Sequence, residues 1–307
     1  MVATDRCVLT AFFAMILDAV LGEPKWLWNR VPHPAVLMGR AVGYADRRLN
    51  NGENKRAKGI AAIAVLSIVA IILGLVLKAI PSTVIDILVV AILIAQKSLV
   101  THVRDVAHAL RQSLPDARKA VAQIVGRDVT DMDENDVARS AIESAVENVS
   151  DGVIAPLLWF VVAGLPGILL YKIVNTADSM IGHRTEKYTD FGWAAARFDD
   201  VLNFIPARIT AIMILIVNWR FDILLEVTED APLHRSPNAG WPEAATAHSL
   251  NIALSGPRSY DGKRQDFPFA NPNGIRELNA DHIDEVIVLL WKIWGLALIP
   301  AIIATLF

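Results

Sequence analysis

Residues 59–77, GIAAIAVLSIVAIILGLVL, run for 19 positions without a charged side chain. As a helix rising 1.5 Å per residue, the run reaches ~28 Å, close to the thickness of a bilayer's hydrocarbon core. Backbone N–H and C=O groups find no water in lipid, so such a run supports a helix that satisfies them internally. The remaining sequence agrees. Of 307 residues, 54% are hydrophobic and 20% charged, and the mean hydropathy is +0.41. That composition belongs to a polytopic membrane protein. The predicted fold class is all-α: a polytopic integral membrane protein forming one membrane-embedded domain over 1–307.

Four full spans are expected. Cys7 to Gly22 is roughly 16 residues against the ~20 usually needed and must draw on its flanks. Gly59–Leu77 and Ile80–Gln96, the latter interrupted by Asp86, form a hairpin; Val286 to Phe307, broken only by Lys292, is the last span. Glu23 to Lys58 carries eight Lys/Arg against three Asp/Glu, which places that loop on the cytoplasmic side. Two more polar regions, 97–152 and 220–285, are expected to be helical. In the first, Asp133 or Asn135 caps a helix whose buried stripe is Val137, Ala141, Ile142, Ala145 and Val146. Arg139, Glu143 and Glu147, spaced by four, are expected on a solvated face.

Val153–Tyr171 is also uncharged over 19 residues, yet Pro156 starts it and G-L-P-G at 164–167 cuts it. Two half-helices and one kinked helix both fit. Phe204–Trp219 is short and interrupted by Arg208. If both crossed fully, the charged loops around them would lie on opposite faces of the membrane. Two broken, re-entrant or interfacial helices would keep every polar loop from Lys97 to Glu285 cytoplasmic, the 172–203 loop included. A site drawing on both loops requires that arrangement.

Several functions are excluded. The net charge is -3 with no long basic tract, so nucleic acid is not a partner. One cysteine, Cys7, rules out an internal disulfide framework and a CxxC site. The N-terminus begins like a signal peptide but shows no clear small-residue cleavage site and is read as retained. GPRSYDGK at 256–263 has neither the spacing nor the Ser/Thr of a phosphate-binding loop.

Functional groups crowd into 143–208. Glu147, Asn148, Ser150 and Asp151 close one helix against an apolar run, and oxygen ligands so placed suit a hard cation such as Mg2+. Beyond the run stand Asn175, Asp178, His183, Arg184, Lys187, Arg197, Asp199, Asp200 and Arg208. Acids here can hold a metal, and the cations can clamp phosphate or carboxylate. His183 also reads as a hydrogen-bonded loop histidine, and His33, between two prolines, as part of a polar turn.

DAVLGEP (18–24), PHPAVLMGR (32–40), GRD (126–128), ENVSDGVIAPL (147–157), NTADSMIGHRTEKYTDFGWAAARFDDVLNFIPAR (175–208) and SPNAGWPEAA (236–245) together resemble the CobD/CbiB family, over almost the whole chain. The resemblance implies an inner-membrane enzyme of cobalamin biosynthesis, adenosylcobinamide-phosphate synthase. It would join adenosylcobyric acid to 1-aminopropan-2-ol or its phosphate, with ATP as cosubstrate and Mg2+ as cofactor. Beyond what the resemblance settles, Asp151, Asp178, Asp199 and Asp200 are expected as metal- or amine-facing carboxylates, with Asp151 and Asp178 as metal ligands. Asp178, Asp199, Asp200, Lys187 and His183 form the catalytic group. Arg184, Lys187, Arg197 and Arg208 grip phosphate; Glu147, Asn148 and Asn175 orient them; His33 and Asn238–Glu243 line the corrinoid or aminopropanol pocket. Membrane lipid and other corrinoid-pathway enzymes are the expected partners. The alternatives are a non-catalytic scaffold for those enzymes and a transporter of a phosphorylated solute.

Overall fold

A computed structural model describes residues 3–260 and 263–306. In chain order its helices are α1 (Ala3–Leu21), α2 (Lys25–Trp28), α3 (Pro34–Leu49), α4 (Lys55–Lys78), α5 (Thr83–Leu93), α6 (Gln96–Gln112), α7 (Leu114–Val121), α8 (Glu134–Val149), α9 (Ala155–Ile181), α10 (Trp193–Asn218), α11 (Leu224–Asp230), α12 (Gly240–Ser249) and α13 (Ala280–Leu306). Among the described residues four helical stretches are long and apolar enough to cross a membrane: Lys55–Lys78, Thr83–Gln112, Glu134–Ile181 and Trp193–Asn218; Cys7–Leu21 is a shorter apolar helix. The protein is all-α and polytopic in design.

The spans are distributed differently from the expectation. The Ile80–Gln96 run yields α5, only 11 residues, or ~17 Å. It ends where Ile94 turns extended, and the chain becomes helical again at Gln96. Val153–Tyr171 is one kinked helix, and Phe204–Trp219 belongs to a continuous 26-residue helix. The presumed 172–203 loop shrinks to 182–192, because α9 runs on to Ile181 and α10 starts at Trp193. The 220–285 region is not purely helical either. There β1 (Leu254–Ser255) pairs with β4 (Phe269–Ala270), and β2 (Arg258–Tyr260) with β3 (Lys263–Gln265), both antiparallel.

The kink in α9 has a local cause. Gly164 sits at φ 66°, ψ -152°, a backbone state that only glycine adopts freely. Two residues on, Pro166 has no N–H to donate to the carbonyl one turn back. α4 crosses at this level through Gly74, where a Cβ would lie 2.5 Å from Pro166. The glycine permits the close approach.

The chain forms two compact units. One holds the chain up to Ala95, Gly152–Asn203 and the residues from Pro300; the other holds Gln96–Asp151 and Phe204–Ile299. In the first, α4 and α3 lie along α9 and α1 lies against α5. The second is built on α6, α7 and α8, with α12 and β1 against α8. Its α8 starts on the expected cap, since Asp133 accepts a hydrogen bond from the Asp136 amide at 2.7 Å. Asn135 instead accepts from the Leu278 amide at 2.8 Å. The predicted stripe of α8 is buried, but so are Arg139 and Glu143. That face is not solvated; only Glu147 is exposed.

Candidate active site

In the first unit, α9 and the start of α10 hold a buried polar chain. Tyr171 donates from its hydroxyl to Asn203 Oδ1 at 2.9 Å. Asn203 Nδ2 donates to Asp199 Oδ2 at 2.9 Å, and Asn175 Nδ2 donates to Asp199 Oδ1 at 3.2 Å. Asp199 and Asn203 are four residues apart on one helix, and Tyr171 and Asn175 are four apart on the other, so each pair shares a face. Asp199 is 8% exposed. Among the described residues no cation pairs with it, while Asp178 and, more weakly, Asp200 add like charge nearby. A carboxylate held by amides alone, inside helices apolar enough for a membrane, is expensive unless a ligand completes its shell.

Local sequence positions the other acids. Asp178 lies one helical turn before Gly182, and a Cβ at 182 would collide with its Oδ1. Glycine there makes room for the carboxylate. Asp200 pairs with Arg197 at 3.0 Å on α10. His183, Arg184 and Lys187 are exposed on the 182–192 loop. That loop is pinned to α3: Lys187 Nζ donates to Asp46 Oδ2 at 2.9 Å, and Asn50 Nδ2 donates to the Lys187 carbonyl at 3.2 Å. Burial works against the Asp46 carboxylate, but hydrogen bonds from Asn50, Lys187 and Tyr188 hold it below the usual carboxylate range. His33 caps α3, accepting from the Ala35 amide at 3.1 Å through Nδ1. Its other nitrogen is buried without a hydrogen-bond partner among the described residues, and burial lowers its pKa.

The second unit has a different polar centre. Glu143, 1% exposed, accepts from Arg127 Nη2 at 2.8 Å and from the Ser255 amide at 2.7 Å. Arg258 Nη2 stands 3.3 Å from its other side. Glu243 accepts from Ser255 Oγ at 3.2 Å, with Arg258 Nη2 and His234 Nε2 each 3.5 Å away. Burial pushes the Glu243 carboxyl above its ordinary range, Glu143 and Glu147 adding to the effect while His234 and Arg258 oppose it. Arg139 pairs with Asp136 rather than Glu143.

Arg208 also belongs to this unit. Its Nη1 donates to the Phe204 carbonyl at 2.7 Å and to Asn238 Oδ1 at 3.3 Å. The guanidinium lies 3.6 Å from the Phe204 ring centre and 4.6 Å from that of Trp241, a cation–π contact with each. Asn148 is turned back on its own helix, donating to the Ser144 carbonyl at 2.8 Å. The predicted residues thus form two groups: Asn175, Asp178, Asp199, Asp200 and the loop cations in one unit; Glu147, Asn148, Asp151, Arg208, Asn238 and Glu243 in the other.

Among the described residues no group of three or more Asp, Glu, His or Cys could hold a metal ion by itself. Asp151 and Asp178 fall in different units. Mg2+, however, needs only one or two carboxylates when substrate phosphates and water supply the rest. Asp199 with Asp178 fits that smaller demand.

Sequence reasoning missed Tyr171, which reads as the end of an apolar run, and Arg258; Asn203 falls within the polar cluster and Arg127 within the GRD motif, neither with a partner assigned. Spacing offered one usable signal, the 171/175 and 199/203 pairs at helical period. Nothing local pairs Arg127 or Arg258 with Glu143, which they approach from 16 and 115 positions away in the sequence.

A family model described as CobD/Cbib protein matches residues 11–290. The cobalamin biosynthesis protein CobD of Brucella anthropi is 45% identical over 301 residues, 92% of each chain. Its counterpart in Sinorhizobium fredii is 44% identical over 302 residues, again 92% of each. That of Rhodobacter capsulatus is 41% identical over 301 residues, 95% of this chain and 96% of the relative. No solved structure matches the chain.

Proposed function

This chain belongs to the CobD/CbiB family of cobalamin biosynthesis proteins, and from that premise we propose that it is an ATP-dependent amide ligase. It joins the propionate carboxylate of adenosylcobyric acid to (R)-1-aminopropan-2-ol or its O-phosphate, giving adenosylcobinamide or its phosphate. The carboxylate oxygen attacks the γ-phosphorus of ATP and the bond to ADP breaks, leaving an acyl phosphate. The amine nitrogen then attacks the acyl carbon, phosphate departs, and a carboxylate takes the amine proton.

The observation that carries this reading is Asp199, a buried acid with two amide partners and, among the described residues, no cation paired with it, beside Asp178. Such a centre is suited to receive a cationic amine or a metal ion bearing phosphates. Mg2+, when bound, neutralises charge on the β- and γ-phosphates. Asp178 and Asp199 are the residues to hold it, and Asn175 and Asn203 fix the Asp199 carboxylate for that task. Arg184, Lys187 and Arg197 are the cations to grip ATP phosphates; His183 shares their loop. Arg208, in contact with the Phe204 and Trp241 rings, is the cation to meet a carboxylate or phosphate. His33 in the first unit, and Asn238 and Glu243 in the second, are further candidates for contacts to the corrinoid or the aminopropanol. ATP places these groups at the cytoplasmic face of the inner membrane.

The test is ligation by the purified protein in detergent, with ATP, adenosylcobyric acid and each amine in turn. ATP-dependent amide formation is expected, and its dependence on the amine identifies the donor. Asp178→Asn should abolish it. Wild-type turnover in that variant sinks the assignment of the acid cluster, and no turnover by the parent protein favours a scaffold role.

A further inference from the structure

Two ring nitrogens of the first unit, Trp28 Nε1 and His33 Nε2, are buried without a hydrogen-bond partner among the described residues. An indole N–H only donates. His33 Nδ1 accepts from the Ala35 amide at 3.1 Å, so the neutral imidazole carries its proton on Nε2 and that atom donates as well. The two rings meet edge to face, their centres 4.5 Å apart and their planes inclined at 74°. Two neighbouring donors thus lack an acceptor, which is unfavourable unless a ligand supplies one.

The surroundings narrow the class of that ligand. Glu23 and Lys172 act on the His33 ring with opposite signs, so neither charge prevails there. The Ile92 carbonyl approaches the same ring without hydrogen-bond geometry to Nε2. Ile92 lies in the last turn of α5, where carbonyls have no intrahelical partner. A primary carboxamide matches two N–H donors and one carbonyl: its oxygen accepts twice and its NH2 group donates. A carboxylate would face the Ile92 carbonyl as acceptor against acceptor, and an ammonium would face two donors.

Access runs through α2. None of its four residues is buried and no side chain caps its start. Gly22, at φ 58°, precedes it, and Pro32 and Pro34 follow. A segment with so little buried surface opens easily.

We infer that Trp28 and His33 form a carboxamide subsite beneath α2, with the Ile92 carbonyl taking the amide N–H. Adenosylcobyric acid carries primary carboxamides around its corrin rim; its place as the ligand rests on the ligase reading, whereas the carboxamide chemistry does not. Trp28 is then a specificity residue, separating an amidated corrinoid from one that bears free carboxylates.

The indole N–H itself reports on this without turnover. In the full-length protein in detergent, with isotope-labelled indole nitrogens, the magnetic resonance signal missing from Trp28→Phe belongs to Trp28. Propionamide should move that signal downfield and propionate should not. Adenosylcobyric acid should move it too, and by equilibrium dialysis should bind the parent about tenfold more tightly than Trp28→Phe. His33→Asn, which keeps an N-cap acceptor for Ala35, should weaken binding similarly. Adenosylcobyrinic acid, with carboxylates in place of the amides, should bind the parent more weakly and lose less in either variant. An equal response to propionate and propionamide overturns the carboxamide assignment. A signal moved by propionamide alone keeps the amide site and removes the corrinoid as its ligand; if the corrinoid also fails to bind the parent, the ligase reading falls instead. Adenosylcobyric acid that binds the parent and both variants alike, with the Trp28 signal unmoved by it and by propionamide, overturns the inference and leaves the ligase reading standing.

Discussion

Two buried acids, Asp199 and Glu143, show opposite solutions to the same problem. Glu143 is surrounded by Arg127, Arg258 and a backbone N–H, so its charge is cancelled inside the protein. Among the described residues Asp199 is held by the amides of Asn175 and Asn203 alone, with two more acids nearby. Amides orient a carboxylate but do not neutralise it. Glu143 is thus a fastening point between α8, β1 and the Arg127 loop, whereas Asp199 is left with charge to offer a ligand. Burial alone does not distinguish a structural acid from a functional one; the partners do.

Substitutions at the two positions should separate stability from activity. Glu143→Gln leaves Arg127 without its anion and Arg258 with Glu243 alone, and is expected to destabilise the protein by about 3–5 kcal/mol, read from denaturant unfolding in detergent. A variant as stable as the parent would break the contrast at its structural end. Asp199→Asn should leave stability close to wild type and lower ligation about a hundredfold or more, the scale of a lost acid–base group. If it lowers stability and spares turnover, Asp199 belongs with Glu143. Gly182→Ala sharpens the functional end, since the added methyl displaces Asp178; a fall in rate of about tenfold to a hundredfold is expected, with α9 still helical by circular dichroism.

The smallest effect concerns the loop that carries the cations. Asp46 has a folded pKa below its ordinary 3.8, so its contribution is complete above that value and is lost as pH falls through the lower folded value. Melting temperature followed from about pH 5 to about pH 3 should drop less in Asp46→Asn than in the parent. Parallel curves would show that the Asp46–Lys187 contact does not hold the loop.

Features set by neighbours in sequence were legible. The clean run 59–77 became α4, Asp133 capped α8, and G-L-P-G gave the kink of α9, because each depends on hydropathy, a cap or a backbone preference acting within a few residues. The charged stretch RFDDVLN (197–203) misled, since many polar groups in a row read as a loop. In the fold it is helical: Asp199 and Asn203 bond to each other one turn apart, and α9 supplies Asn175 and Tyr171. The buried face of α8 misled for a similar reason. Spacing of four says that Arg139, Glu143 and Glu147 are neighbours, but not what lies opposite them.

By itself, then, the sequence determined the all-α membrane design, the cap of α8, the break in α9, and the family. Tertiary structure decided which carboxylates are neutralised and which are not. Glu143 meets Ser255 across 112 positions of sequence, and Asp199 meets Asn175 across 24. Whether a buried charge is satisfied depends on groups brought within ~3 Å in space, and local pattern carries no record of that.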